Sequence, residues 1–335
     1  MTNKYNVVVV GATGNTGRET LNVLAERNFP IDKIYAIASQ DSLGTKVSFG
    51  ENKTVTTQGL DSFDFSKVDI VFSSAGSVVS KQFVQKAVKA GATVIDKTSL
   101  FRMDENVPLI VPEVNGHKIG SAKIIANPNC VAIPVCMALK PLDNAARIKK
   151  VVISTYQSTS GAGKSGMDTL YEQTKGKYLY QDSDSGVFQK QIAFNIIPQI
   201  GAFGDDGYTD EETKIASEVA KIMGDHVRLT ATCVRVPVFV GHAVSINVEF
   251  DGEMTATEAE EILSEADGVV VMTSQSGEKY VTPIEIVGED SVFISRIRND
   301  ATTKNAINMI VACDNLRKGA ALNAVQIAEY LVGSR

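Results

Sequence analysis

No stretch of the 335 residues approaches the run of roughly 18 apolar positions that a bilayer-crossing helix needs, so a helical membrane protein is excluded. Cysteine is sparse. Cys130, Cys136, Cys233 and Cys313 are too few for a disulfide framework, and no CxxC pair or Cys/His cluster has metal-site spacing. Positive charge is not in excess either: 33 Lys and Arg against 39 Asp and Glu leave a formal net charge of −6, and the cations are dispersed. Nucleic acid and anionic membrane surfaces call for a basic face, so neither is a partner. The opening MTNKYNVVVVGATG lacks the long apolar core and small-residue cleavage site of a secretory signal. These absences predict a cytoplasmic protein with reduced thiols and no metal.

What is present is the composition of a globular protein, 44% hydrophobic and 21% charged, at a length that suits two domains. In the first half, short apolar strands (YNVVVV, KIYAIAS, VDIVFSS, ATVIDKT, SAKIIAN) alternate with helical stretches such as GNTGRETLNVLAER and SKQFVQKAVKAGA. That alternation predicts a parallel sheet covered on both faces. Beyond about residue 145, KKVVISTYQS, HVRLTATCVRVPV and HAVSINVEF are longer and alternate in polarity, as in an antiparallel sheet with one covered face. The polar stretch from STSGAGKSG to QDSDSG reads as loops and a helix over that sheet. The closing DNLRKGAALNAVQIAEYLVG reads as a helix that returns to the first domain.

The first chemical motif is GATGNTG, with Gly11, Gly14 and Gly17 between a strand and a helix. There a glycine turn lets backbone N–H groups approach a pyrophosphate, so this half is predicted to be a Rossmann-type dinucleotide-binding domain. The boundaries follow as 1–129 with 315–335 for that domain, and 130–314 for an α+β catalytic and dimerisation domain with a mainly antiparallel sheet. After the second strand comes AIASQDSLG, where Asp41 is either a ribose ligand or a solvated loop acid, and no Arg is near to take a 2′-phosphate. GAGKS at 161–165 lacks the leading glycine of a Walker loop, because position 158 is Ser; Gly161 and Gly163 still allow close backbone approach to a ligand.

Cys130 in ANPNC stands between a strand and the helical VAIPVCMALKPL, where backbone N–H groups and the positive helix end favour a thiolate. The three histidines differ in setting. His117 in NGHKIG and His226 in GDHVR read as solvated turn residues, whereas His242 opens a strand after PVFVG and is either a structural histidine or a base. Arg235, inside the apolar strand CVRVPV, needs a paired anion, which is either a substrate carboxylate or a structural acid. Glu211 and Lys214 follow a helix-start signature and lie three apart on one face; spacing alone makes them a surface ion pair. Arg102 in SLFRMD follows a strand end, where open α/β sheets bind ligands.

Together, GATGNTGRE, TSLFRMDENVPLIVPEVN, NPNC, STYQSTSGAG, ATCVRVPVFVGH and NLRKGAALNAVQIAE resemble the aspartate-β-semialdehyde dehydrogenase family nearly end to end. The resemblance implies NADP-dependent reduction of L-aspartyl 4-phosphate to the semialdehyde and phosphate through a cysteine thioester, on the route to lysine (by way of diaminopimelate), methionine and threonine. It implies Cys130 as nucleophile, His242 as acid/base and Gln157 as the residue orienting the acyl intermediate. Arg235 would bind the substrate carboxylate and Glu211 its ammonium, with Arg102, Asn129 and Lys214 holding phosphate. Gly11, Thr13, Gly14, Asn15, Thr16 and Gly17, the loop residues Ser39, Asp41 and Ser42, Gly76, Ser160, Gly161 and Asn315 would line the cofactor. A homodimer, sometimes doubled to a tetramer, is the implied assembly.

Two departures stand out. The family often has an Arg pattern where this chain reads SQDSLG, which predicts relaxed selectivity with some use of NAD. Lys97 in IDKTS stands where Asn is usual. The nearest rival is N-acetyl-γ-glutamyl-phosphate reductase, but an acetylated nitrogen would not seek Glu211. A non-catalytic dinucleotide-binding relative would be expected to lack the cysteine, the histidine or the arginine, and all three are here.

Overall fold

The computed structural model describes residues 3–181, 184–273 and 278–333. They form two compact units, 1–129 with 320–335, and 130–319. The first unit runs β1 (Tyr5–Val10), α1 (Asn15–Glu26), β2 (Ile31–Ala38), β3 (Lys46–Phe49), β4 (Lys53–Gly59), β5 (Ile70–Ser73), α2 (Ser77–Lys89), β6 (Thr93–Asp96), α3 (Pro112–Asn115) and β7 (Ile124–Ala126). The second holds α4 (Ala132–Ala145), β8 (Ile148–Gln157), α5 (Gly163–Tyr178), α6 (Asp210–Met223), β9 (Arg228–Arg235), β10 (His242–Phe250), α7 (Ala256–Ser264), β11 (Val269–Met272), β12 (Val292–Asn299) and β13 (Ala306–Cys313). The chain then re-enters the first unit as α8 (Leu322–Leu331).

In the first unit the strand order is β3-β4-β2-β1-β5-β6-β7, parallel except for the β3–β4 hairpin. The VVVV run shows why. Val7 and Val9 join one core with Leu21 and Leu24 of α1 and Val325 of α8, while Val8 and Val10 join another with Phe83 and Val84 of α2. A strand buried on both faces cannot alternate in polarity, so it reads as a continuous apolar run. The order reverses at β1, with β2 on one side and β5 on the other, and the crevice beyond their carboxyl ends is where such sheets take ligands. The hairpin of KVSF and KTVTTQG is an addition that the sequence pattern did not reveal.

In the second unit the order is β11-β12-β13-β10-β8-β9. The expectation of a mainly antiparallel sheet needs qualifying. The three central pairings are antiparallel, but β8–β9 and β11–β12 at the two edges are parallel. Between β8 and β9 the chain crosses back through α5 and α6, and such a crossover returns a strand in the same direction. Along β10 every second residue from His242 is buried, the period-2 pattern of a sheet packed on one face. The stretch from STSGAGKSG onward forms a short 3₁₀ turn and α5; Asp182 and Ser183, within QDSDSG, lie outside the described residues.

The return to the first unit falls at 319/320, five residues beyond the boundary that the sequence suggests. The reason is polar. Asp314 accepts from the backbone N–H groups of Gly288, Leu316 and Arg317, and Asn315 accepts from Gly241 N–H, so this turn is tied into the second unit.

Candidate active site

The register of the second sheet brings the site together. Gln157 closes β8 directly beside Arg235, which closes β9, and His242 opens β10 opposite Cys313 at the same sheet end. Cys130 lies two residues before the first residue of α4, with its Sγ 3.4 Å from His242 Nε2. It is partly exposed, unlike Cys136, Cys233 and Cys313, which are buried. Burial pushes those three thiols up, Cys233 to about 12, so Cys130 is the one cysteine suited to act as a nucleophile.

His242 is 1% exposed, and its ring is held from behind. Nδ1 accepts the backbone N–H of Ser158 at 3.1 Å, with Ser158 Oγ at 3.0 Å. A backbone N–H can only donate, so Nδ1 carries no proton and the ring proton sits on Nε2, facing the sulfur. Burial, then the charge of Arg235, lowers the imidazole pKa from 6.5 to about 3. At working pH the ring is therefore a neutral donor aimed at Cys130. Ser158 is in turn fixed by Asn315, whose Oδ1 accepts from Ser158 Oγ (3.1 Å), Ser160 Oγ (3.1 Å) and Gly241 N–H (2.8 Å).

Arg235 is 6% exposed and donates from Nη1 to the Ser158 carbonyl at 2.7 Å. Burial pushes its pKa down, while Cys130 and Glu211 beside it act the other way. Gly161 permits this approach: a Cβ there would stand 2.7 Å from Arg235 Nη1 and 3.5 Å from His242 Nε2. Gln157 donates from Nε2 to Glu211 Oε1 at 3.0 Å and accepts from Thr155 Oγ1 at 3.0 Å. The surface-pair reading of Glu211 and Lys214 is thereby corrected, because the Glu211 carboxylate turns inward to Gln157. Lys214 is exposed, and no ion pair joins it to Glu211 among the described residues.

The first unit carries the remaining sequence candidates. Gly11 has φ +83°, and a Cβ there would meet the Ser74 carbonyl carbon at 2.8 Å; a Cβ at Gly17 would meet Gly11 O at 2.1 Å. Only glycine permits this turn. Beside it, Asn15 Nδ2 and Ser74 Oγ are buried without a hydrogen-bond partner, and Gly14 caps the first turn of α1. A bare backbone turn, a helix start and two unsatisfied polar groups suit the pyrophosphate of a dinucleotide. Thr13 and Thr16 lie on the same turn, and Gly76 (φ +85°) opens α2 after β5. Ser39, Asp41 and Ser42 fall in the turn after β2, where Ser39 and Asp41 are exposed. Arg102 donates to the carbonyls of Asn127 (3.0 Å) and Lys97 (2.9 Å), and Asn129 is 6% exposed.

Comparison with known proteins identifies the family of both units. Residues 6–122 match the semialdehyde dehydrogenase NAD binding domain, and residues 139–318 match the semialdehyde dehydrogenase dimerisation domain. The aspartate-semialdehyde dehydrogenase of Rickettsia conorii is 59% identical over 337 residues, covering 100% of this chain and 99% of the relative. This chain belongs to the aspartate-semialdehyde dehydrogenase family. The Aquifex aeolicus aspartate-semialdehyde dehydrogenase is 46% identical, with 98% of each chain covered. Among solved structures, aspartate semialdehyde dehydrogenase II of Vibrio cholerae, described as complexed with ASA, superposes with a TM-score of 0.95 at 42% identity, covering 99% of both chains. These relatives carry the aspartate name, not that of the acetylated-glutamyl rival.

Sequence reasoning left two participants of the site unplaced and misjudged one histidine outside it. Ser158 holds the histidine, and its one signal was its position between Gln157 and Ser160. Gly319 lets the chain pass against Cys130, whose Cβ a side chain there would meet at 3.3 Å; nothing local marks it. His226, expected to be solvated, instead approaches Asp143 at 3.0 Å and is partly buried. Among the described residues, no helix is long and apolar enough to cross a membrane, and no group of three or more His, Cys, Asp or Glu is placed to hold a metal.

Proposed function

We infer that this chain performs the aspartate-semialdehyde dehydrogenase reaction, with Cys130 as its covalent nucleophile. The observation that carries the reading is the 3.4 Å approach of Cys130 Sγ to a neutral, backbone-held His242 Nε2–H, with the Arg235 guanidinium fixed nearby. The Cys130 thiolate attacks the acyl carbon of aspartyl phosphate, phosphate leaves, and a thioester forms. A reduced nicotinamide cofactor, when bound, supplies the hydride that reduces this thioester. The resulting thiohemiacetal oxyanion collapses to aldehyde, and the thiolate returns as leaving group. The sequence passes no net proton through the imidazole. His242 is needed as a hydrogen-bond donor to the oxygen on which charge grows, a role open to a ring that stays neutral.

The other roles follow from chemistry. Arg235 offers the substrate carboxylate a buried guanidinium, and Glu211, oriented by Gln157, meets its ammonium. Arg102 is the cation for phosphate in the first unit, with Asn129 beside the nucleophile in sequence; for Lys214 the motif supplies the assignment. The turn from Gly11 to Gly17 would hold the dinucleotide pyrophosphate. NADP is the proposed cofactor with NAD tolerated, because Asp41 stands exposed where the family pattern has arginine. A homodimer or tetramer is supported by the exposed Tyr178, Tyr180, Phe194, Ile196 and Phe203 of the second unit, apolar groups that a monomer seldom leaves bare together. A reducing cytoplasm suits a mechanism that depends on a free thiol.

The test follows reduced-cofactor formation from semialdehyde and phosphate with NADP and with NAD at equal concentration. The expected result is turnover with both, differing by less than about a hundredfold, about 2.7 kcal/mol. Cys130→Ala should lose about 10⁴-fold or more, as removal of a nucleophile does. Appreciable turnover in that variant would end the covalent mechanism.

A further inference from the structure

Lys97 directly follows β6 and makes contacts in three directions within the first unit. Its backbone N–H donates to Ser73 O at the end of β5 (3.0 Å), and its carbonyl accepts from Arg102 Nη2 (2.9 Å). Its ammonium donates to the Thr16 carbonyl in the first turn of α1 (3.0 Å) and to Thr20 Oγ1, which itself donates to Thr16 O at 2.6 Å. We propose that Lys97 is a positioning residue that ties the glycine turn to Arg102, holding the cofactor-facing turn of α1 and the phosphate-facing guanidinium in one fixed arrangement. The proposal rests on the reading of those two features as cofactor and phosphate ligands.

The electrostatics argue for a binding role over a merely structural one. A cation beneath the N-terminal turn of a helix sits at the wrong end of the dipole, where an anion is favoured. Burial accordingly pushes the ammonium down to about 7, with Glu19 of α1 and Asp96 of β6 acting against that shift. Arg102 donates from Nη2 to the Lys97 carbonyl and from Nε to the Asn127 carbonyl. Asp96 is fully buried, donates nothing, and accepts Thr98 N–H on Oδ1 while Oδ2 has no hydrogen-bond partner. The buried Lys97 cation is unfavourable there until a dianionic pyrophosphate arrives at the turn, and it then becomes attractive. Below about pH 7 the ammonium is charged before binding. Above it, binding must take up a proton, so affinity falls as pH rises.

The experiment titrates the full chain with NADPH and NADH by cofactor fluorescence from pH 6 to 8.5, and measures steady-state kinetics with phosphate as the varied substrate. Lys97→Met should raise the cofactor Kd about tenfold, the loss expected for one charge-assisted hydrogen bond, and abolish the fall in affinity with pH. Its KM for phosphate should rise while kcat stays within about threefold, since no reacting atom is touched. Thr20→Val, which removes only the acceptor hydroxyl, should raise the Kd in the same direction by about threefold and serves if the Met variant does not fold. A folded variant with wild-type Kd and wild-type pH profile overturns the proposal. If the wild-type chain binds neither cofactor, the reading of the glycine turn itself fails, and the proposal with it.

Discussion

The glycine turn of the first unit and the sheet end of the second handle their polar groups in opposite ways. At the turn, Asn15 Nδ2 and Ser74 Oγ are buried with no hydrogen-bond partner; with Asn6 Oδ1 and Asp96 Oδ2 elsewhere they complete the set of such side-chain atoms among the described residues, all in the first unit. At the sheet end, His242, Ser158, Ser160 and Asn315 form a closed network in which Asn315 Oδ1 alone accepts three hydrogen bonds. A buried polar group left unsatisfied costs about 1–3 kcal/mol, so it persists where something else will satisfy it. A closed network holds a reacting side chain still. On the proposed function, the first region is completed by a ligand and the second aims a reacting group.

That contrast can be broken by substitution. The largest expected effect is at the aimed group. His242→Asn should lower kcat by about 10²–10⁴-fold with the Kd for cofactor little changed, read by steady-state kinetics and direct titration. It should also alter acid stability. The folded pKa of His242 lies at about 3, below the ordinary 6.5, so the unfolded chain binds more protons between those values. Wild-type stability should therefore be intact above pH 6.5 and fall as pH drops toward 3, and the Asn variant should lose less over that window in urea titrations. Gly17→Ala comes next: a methyl 2.1 Å from Gly11 O forces the turn open, and reduced-cofactor affinity should drop by about a hundredfold.

The smaller effects sharpen the comparison. Ser158→Ala keeps the backbone N–H on His242 Nδ1 and removes only the hydroxyl, so kcat should fall about tenfold, with cofactor binding unaffected. Asn15→Ala should weaken cofactor binding about fivefold while leaving the free protein as stable as before or slightly more so, because it deletes a donor that nothing in the protein satisfies. A thermal shift showing clear destabilisation by Asn15→Ala would mean that the turn is closed by the protein itself, and the contrast would vanish.

How much of this was legible varies with how local the signal is. VVVVGATGNTG announces its strand, turn and helix because burial on both faces and the glycine turn are written residue by residue. The β3–β4 hairpin did not announce itself, since KVSF and KTVTTQG are short, polar and exposed along most of their length. Cys130 was marked by its motif, yet its distinction from Cys136, only six residues away in α4, is a matter of burial that spacing does not encode. Glu211 misled for a related reason. Three-residue spacing places it beside Lys214 on one helix face, but the side chain belongs to Gln157, 54 positions earlier.

The amino-acid order alone settled the parallel and half-buried strand patterns, the glycines that no side chain could replace, and the residue types able to form a thioester and steady its oxyanion. These are consequences of steric fit and periodicity over a few residues. Only the folded chain decided that the imidazole at 242 is neutral with its proton on Nε2, that Ser158 and Asn315 hold it, and that Lys97 reaches under the first turn of α1. Those outcomes depend on desolvation and on hydrogen-bond partners brought from 77 to 157 residues away, and no local pattern carries either.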